Sequence, residues 1–284
     1  MLIIVSSNKI PTYILSFISI LILYNRALHD LVGDSISAFN LKLSSLILIC
    51  LGSFIYLFSI PAITQDPIYH QFIDTRMFGE IPNTQDVLSN LFFIVVGLLG
   101  LKEALNKKVP RETPWIAFFA SILLVAPGSA YYHWSPNNFT LVWDRLPMSL
   151  AFMALFIGLM SEHISRKSEK LLPWALLLGV SSVLVWAITG DLRFYFWIQF
   201  SSFIIIPLIL IFFSSRYTHK LFYVFTLLFY GFAKWSEVKD REIFNWSHHF
   251  LSGHTLKHIL AAIGIGGLWW MIKIRKKSNS GVKV

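Results

Sequence analysis

Nearly continuous apolar runs, each about twenty residues long, recur along this chain from residue 10 to residue 272. A backbone in hydrocarbon has to satisfy its own N–H and C=O groups, so such runs fold as helices or as closed barrels. Barrel strands alternate apolar and polar residues, and these runs do not alternate. Only 14% of the residues are charged, little more than half the share of an ordinary soluble domain. The expected fold is therefore all-α, a polytopic membrane helical bundle.

The first two runs are 10–25 and 41–62, and a polar connection with four acidic residues follows over 63–86. Pro67, Gly79 and Pro82 mark that connection as loop. Seven further spans are expected near 87–105, 114–133, 145–163, 171–189, 195–213, 219–236 and 254–272. The gaps between them are mostly short, so neighbouring helices should run antiparallel. This divides the chain into an N-terminal extension with one or two membrane spans (1–65), a seven-helix core (66–272) and a basic tail (273–284). The first run follows Lys9 without a small-residue cleavage site, so no cleaved signal peptide is expected.

A formal charge of +9 in a soluble protein would suggest nucleic acid. Here the basic residues sit in short loops and in the tail, which excludes that partner and fixes an orientation instead. One face collects Lys102, Lys107, Lys108, Arg111, Arg166, Lys167, Lys170, Arg216, Lys220, Lys273, Arg275, Lys276, Lys277 and Lys283. The other has Arg76, Arg193, Lys234, Lys239 and Arg241, the last three in a 234–253 loop that also holds Glu237, Asp240 and Glu242. The C-terminus should be cytoplasmic and the 63–86 connection external. The single cysteine, Cys50, lies in an apolar run and offers neither a disulfide framework nor a cysteine-rich metal site.

Two short stretches carry the chemistry. Ser129-Ala-Tyr-Tyr-His133 closes one span, and Asp144 follows eleven residues later at the start of the next. His254-Thr-Leu-Lys-His258 opens the last span. In each stretch two polar residues are spaced i, i+4, which places them on one helix face. The expected orientation brings His133, Asp144, His254 and His258 to the same leaflet, although more than a hundred residues separate the two stretches. Three imidazoles make a first shell for Zn2+ with a fourth position open for water. Asp144 can then serve as proton acceptor and Ser129 as a hydrogen-bond donor to a developing oxyanion. Taken singly, each has a plainer role. A histidine at a helix end is usually interfacial, Ser129 after Gly128 can be a small packing residue, and Asp144 can pair with Arg145. His248 and His249 read as loop residues that could stand in for a ligand, while His163 and His219 fall on the basic side.

Together the Ser-x3-His, the later Asp and the His-x3-His resemble the alkaline ceramidase family, within the wider CREST superfamily of seven-helix membrane hydrolases. The stretch IPNTQDVLSNLFFIVVGLLGL, residues 81–101, is similar to that family's opening helix and is worded most like bacterial members. The resemblance covers residues 66–272. It implies that His133, His254 and His258 bind zinc, and that Ser129 and Asp144 assist hydrolysis of a ceramide-like lipid amide to a sphingoid base and a fatty acid. Eukaryotic members also carry an acidic calcium loop. The comparable region offers Asp74, Asn83 and Asp86 as Ca2+ ligands without reproducing the acidic cluster. The competing readings are a zinc-containing receptor of the progestin and adiponectin receptor type, a membrane haem protein with two histidine axial ligands, and, least supported, a transporter.

Overall fold

The computed structural model describes residues 36–106 and 113–278. The apolar run 10–25 therefore lies outside the described residues, as do Lys107, Lys108, Arg111 and Lys283. The chain is a helical bundle, and the described residues form no strand beyond isolated bridges at Phe78–Ile81 and Tyr217–Lys277.

The helices are α1 (Ile36–Ser59), α2 (Thr84–Leu88), α3 (Leu91–Leu105), α4 (Thr113–Trp134), α5 (Asn138–His163), α6 (Leu172–Thr189), α7 (Arg193–Phe212), α8 (Leu221–Val238), α9 (Asp240–Trp246) and α10 (Gly253–Ile274). Among the described residues, seven segments are long and apolar enough to cross a membrane: Phe39–Ser59, Thr84–Leu105, Thr113–Trp134, Asn138–His163, Arg166–Thr189, Arg193–Phe212 and Gly253–Ile274. Helix α8 is also long, but its last turns carry Lys234 and Glu237.

Three boundaries differ from the sequence expectation. The span expected at 87–105 begins at Thr84 and is broken between α2 and α3. The Ser89 hydroxyl and the Asn90 amide both donate to the Asp86 carbonyl (2.9 and 2.8 Å), supplying locally the bonds that a continuous helix would make. The span expected at 145–163 begins at Asn138, where Asn137 and Thr140 form a reciprocal capping box. Asp144 is thus well inside a helix and not at its start. The third correction concerns 234–253, which is not a loop. It holds the last turns of α8 and all of α9.

Helices α4 and α5 pack closely, as do α8 and α10, with α3 bridging α4 and α10. A large apolar core fills the bundle, and a smaller one around Tyr132, Leu141, Val183, Trp186, Leu192 and Tyr195 lies near the ends of α4 and α5. Helix α1 packs mainly on α7, with the Trp197 indole donating to Ser53 Oγ at 3.2 Å.

Candidate metal centre

His133 is the penultimate residue of α4, and His254 and His258 lie on the first turns of α10. Their side chains converge. One ring nitrogen from each lies within 4.8 Å of the others, and all three residues are buried. The ring centroids are 4.7 Å apart for His133–His254, 5.0 Å for His133–His258 and 5.2 Å for His254–His258. These separations leave no room for a porphyrin between facing rings, which disfavours the haem reading.

Hydrogen bonds to the backbone fix each of the two helix ends. The Ser252 hydroxyl caps α10 by accepting from the Thr255 N–H at 2.9 Å. Asp240 accepts from the His254 N–H at 2.8 Å, a carboxylate at the positive end of the helix. Burial pushes the Asp240 carboxyl above its usual range, and the N–H bonds from His254 and Ile73 work against that rise. At the end of α4, the Asn83 amide donates to the His133 carbonyl at 2.8 Å, satisfying a terminal C=O.

Side-chain partners determine what each imidazole offers. Ser89 gives its one hydroxyl proton to the Asp86 carbonyl and so accepts from His258 Nδ1–H at 2.7 Å. That assigns the tautomer and leaves the Nε2 lone pair of His258 free for a metal. His133 Nδ1 is buried with no hydrogen-bond partner. Lys257 donates to His254 Nε2 at 2.7 Å and to Glu237 at 3.0 Å. A metal held by His254 would displace one of these bonds at most, since Lys257 has Glu237 as a second acceptor. Three neutral imidazoles with an orphaned nitrogen among them fit a borderline-soft divalent metal.

Ser129 and Asp144 also meet. Both are buried, and the Ser129 side chain on α4 lies within interaction range of the Asp144 carboxylate on α5. The Gly128 Cα lies so close to α5 that an added Cβ would fall 2.2 Å from the Trp143 carbonyl oxygen, which is why the two helices can approach this near. Arg145 is engaged elsewhere. It donates to Gln65 Oε1 at 2.6 Å, and its guanidinium lies 4.2 Å from the Trp186 ring centroid.

The candidate Ca2+ ligands go to three different partners. Asp74 uses both carboxylate oxygens on Arg76 (2.7 and 2.6 Å). Asn83 caps α4. Asp86 accepts from the Thr255 hydroxyl at 2.5 Å and stands behind His258 through Ser89. His248 and His249 are exposed, and His163 is tied to the Leu159 carbonyl on its own helix.

The sequence reading passed over a half-buried charge cluster. Glu237 binds Lys234 at 2.7 Å and Lys257 at 3.0 Å, and the Tyr69 hydroxyl donates to it at 3.3 Å. Lys257 is within electrostatic reach of Asp144 and of all three histidines. The available signal was a lysine between two histidines inside an apolar span, where an ionisable group needs a partner.

The ceramidase family model matches residues 70–280, most of the chain. The chain belongs to the ceramidase family. No curated protein and no solved structure matches it. Family membership implies a hydrolase that acts on amides and takes a lipid substrate. The match starts at residue 70, so α1 and the segment leading from it lie outside the family region.

Proposed function

We propose that the protein is a zinc-dependent intramembrane hydrolase that cleaves the amide of a ceramide-like N-acyl lipid into a sphingoid base and a free fatty acid. The observation that carries this reading is the meeting of three buried imidazoles from the ends of α4 and α10. His133, His254 and His258 would hold the zinc, which would act as a Lewis acid and lower the pKa of water from ~15.7 to roughly 7.

The chain's own residues do the rest. Asp144 accepts the proton of the attacking water and delivers it to the leaving nitrogen. Ser129, beside it, can donate to the carboxylate while it is charged. Once Asp144 carries the proton, the serine hydroxyl can turn to the oxyanion that replaces the carbonyl. The buried setting strengthens both interactions, because little water competes there. Residues 66–272 form the hydrolase, 1–65 an extension and 273–284 a cytoplasmic tail, with the centre toward the external leaflet of the cell membrane.

Metal analysis of purified wild type beside His258→Ala, joined to cleavage of a long-chain N-acyl sphingoid lipid, tests the proposal. Wild type should hold one zinc per chain and release fatty acid, and His258→Ala should lose most zinc and all turnover. Asp144→Asn should keep the zinc and lose turnover, since an amide does not accept the proton. Full activity in Asp144→Asn removes the assigned base, and stoichiometric zinc without cleavage of any long-chain N-acyl lipid removes the amidase.

A further inference from the structure

The metal-binding candidates sit at helix ends, where side chains usually meet water, yet His133, His254 and His258 are only 1%, 5% and 4% exposed. The segment from Ile63 to Asp74 accounts for this. It leaves α1, crosses the helix ends that carry the histidines and touches almost every element that builds the centre. The Leu192 N–H, just before α7, donates to the Ile63 carbonyl at 2.8 Å. Gln65 accepts from Arg145 of α5. Tyr69 reaches Glu237 of α8. His70 bridges the Tyr132 hydroxyl of α4 and the Asn138 side chain of α5, both at 3.0 Å. Phe72 then lies directly on the centre, its ring centroid 4.7 Å from His133 and 4.8 Å from His254.

The pattern is two-faced. Pro67, Ile68 and Gln71 are exposed, whereas Tyr69, His70, Phe72 and Asp74 turn inward. Ile63, Tyr69 and Phe72 complete the small apolar core around Tyr132. The near end is tied as firmly as the far end. Arg193, held by Asp191 at 2.7 Å, donates to the Phe58 and Ile60 carbonyls at 3.2 and 2.7 Å, fixing the last turn of α1 to the start of α7.

We propose that residues 63–74 are a strap that closes the centre to the aqueous side, with Phe72 as its shutter and α1 as its anchor, so that the scissile amide enters sideways from the bilayer. Phe72 is then a specificity-determining residue: it excludes amides that arrive from water and favours those carried in by an acyl chain. The substrate half of this inference rests on the hydrolase reading. The closure half rests on geometry alone.

The closure is tested without metal or turnover. A cysteine is placed by His254→Cys in a Cys50→Ser background, and its reaction with a charged, membrane-impermeant methanethiosulfonate is timed. Behind Phe72 the thiol should react slowly. Adding Phe72→Ala should accelerate it about tenfold, because the ring's burial holds the strap down, and Phe72→Leu should fall between. Arg193→Ala, remote from the histidines, should also accelerate it. A thiol that reacts as fast behind Phe72 as a Glu80→Cys surface control, or a rate indifferent to Phe72→Ala, overturns the strap. No effect of Arg193→Ala overturns the anchor. In otherwise wild-type protein, Phe72→Ala should raise the cleavage of a water-soluble short-chain amide relative to a long-chain one. An unchanged ratio overturns the specificity role. A wild type that cleaves neither amide indicts the hydrolase reading and leaves the thiol result standing.

Discussion

One hydroxyl decides which nitrogen His258 presents. Ser89 spends its proton on the Asp86 carbonyl, so it takes the Nδ1 proton of His258 and turns the opposite lone pair into the centre. Ser89→Ala leaves that N–H without a partner and lets the ring rotate or change tautomer. Loss of such an outer partner typically costs about 10- to 100-fold in metal affinity. Competition with a chromophoric chelator should show zinc affinity falling by at least the lower of those factors, with the helical content unchanged. An affinity equal to wild type would mean that another group orients His258.

At the scale of elements, the centre depends on how closely α4 and α5 approach beside Ser129 and Asp144. Gly128 makes that possible, since a methyl there meets the Trp143 carbonyl at 2.2 Å. Gly128→Ala has to push the helices apart, an overpacking that costs about 1–3 kcal/mol. The expected result is a lower melting temperature together with reduced turnover, because Ser129 and Asp144 move apart as the helices separate. Melting and turnover both like wild type would show that α5 yields without disturbing the site. The same elements show what the sequence disclosed. The i, i+4 spacing made His254 and His258 legible as one face, and the apolar runs made most spans legible to within a few residues. Asp144 was misplaced because the Asn137 cap, which starts α5 early, precedes the apolar residues that mark the span. Glu237 and Lys234 looked like loop charges because charges are costly in a membrane helix unless paired, and although Lys234 and Glu237 pair at i,i+3 on α8, the second partner of Glu237, Lys257 on α10, leaves no trace in local sequence. Ser89 and Phe72, and the place of Asp86 behind His258, were missed because their partners lie on other elements.

For the whole molecule, orientation determines which side of the membrane the strap and the centre face. The charge asymmetry becomes sharper once the structure is included. Two of the residues assigned to the external side are internally neutralised: Lys234 is held by Glu237, and Arg193 by Asp191. On the opposite side, Arg275 is buried in a pair with Glu162, which also accepts from Trp115 and Tyr223, and it too drops out of the count. With Arg166 set aside as the partner of Glu169, Lys102, Lys167, Lys170, Arg216, Lys220, Lys273, Lys276 and Lys277 remain on that side among the described residues, against Arg76, Lys239 and Arg241. Of those three, Arg76 is paired with Asp74 and Lys239 with Glu242. The bias of unpaired positive charge thus favours the side opposite the histidines as cytoplasmic. In a Cys50→Ser background, Glu80→Cys should react with an impermeant maleimide on intact cells, and Lys170→Cys only after permeabilisation. The reverse pattern would turn the centre toward the cytoplasm, and the strap would then close it against the cell interior.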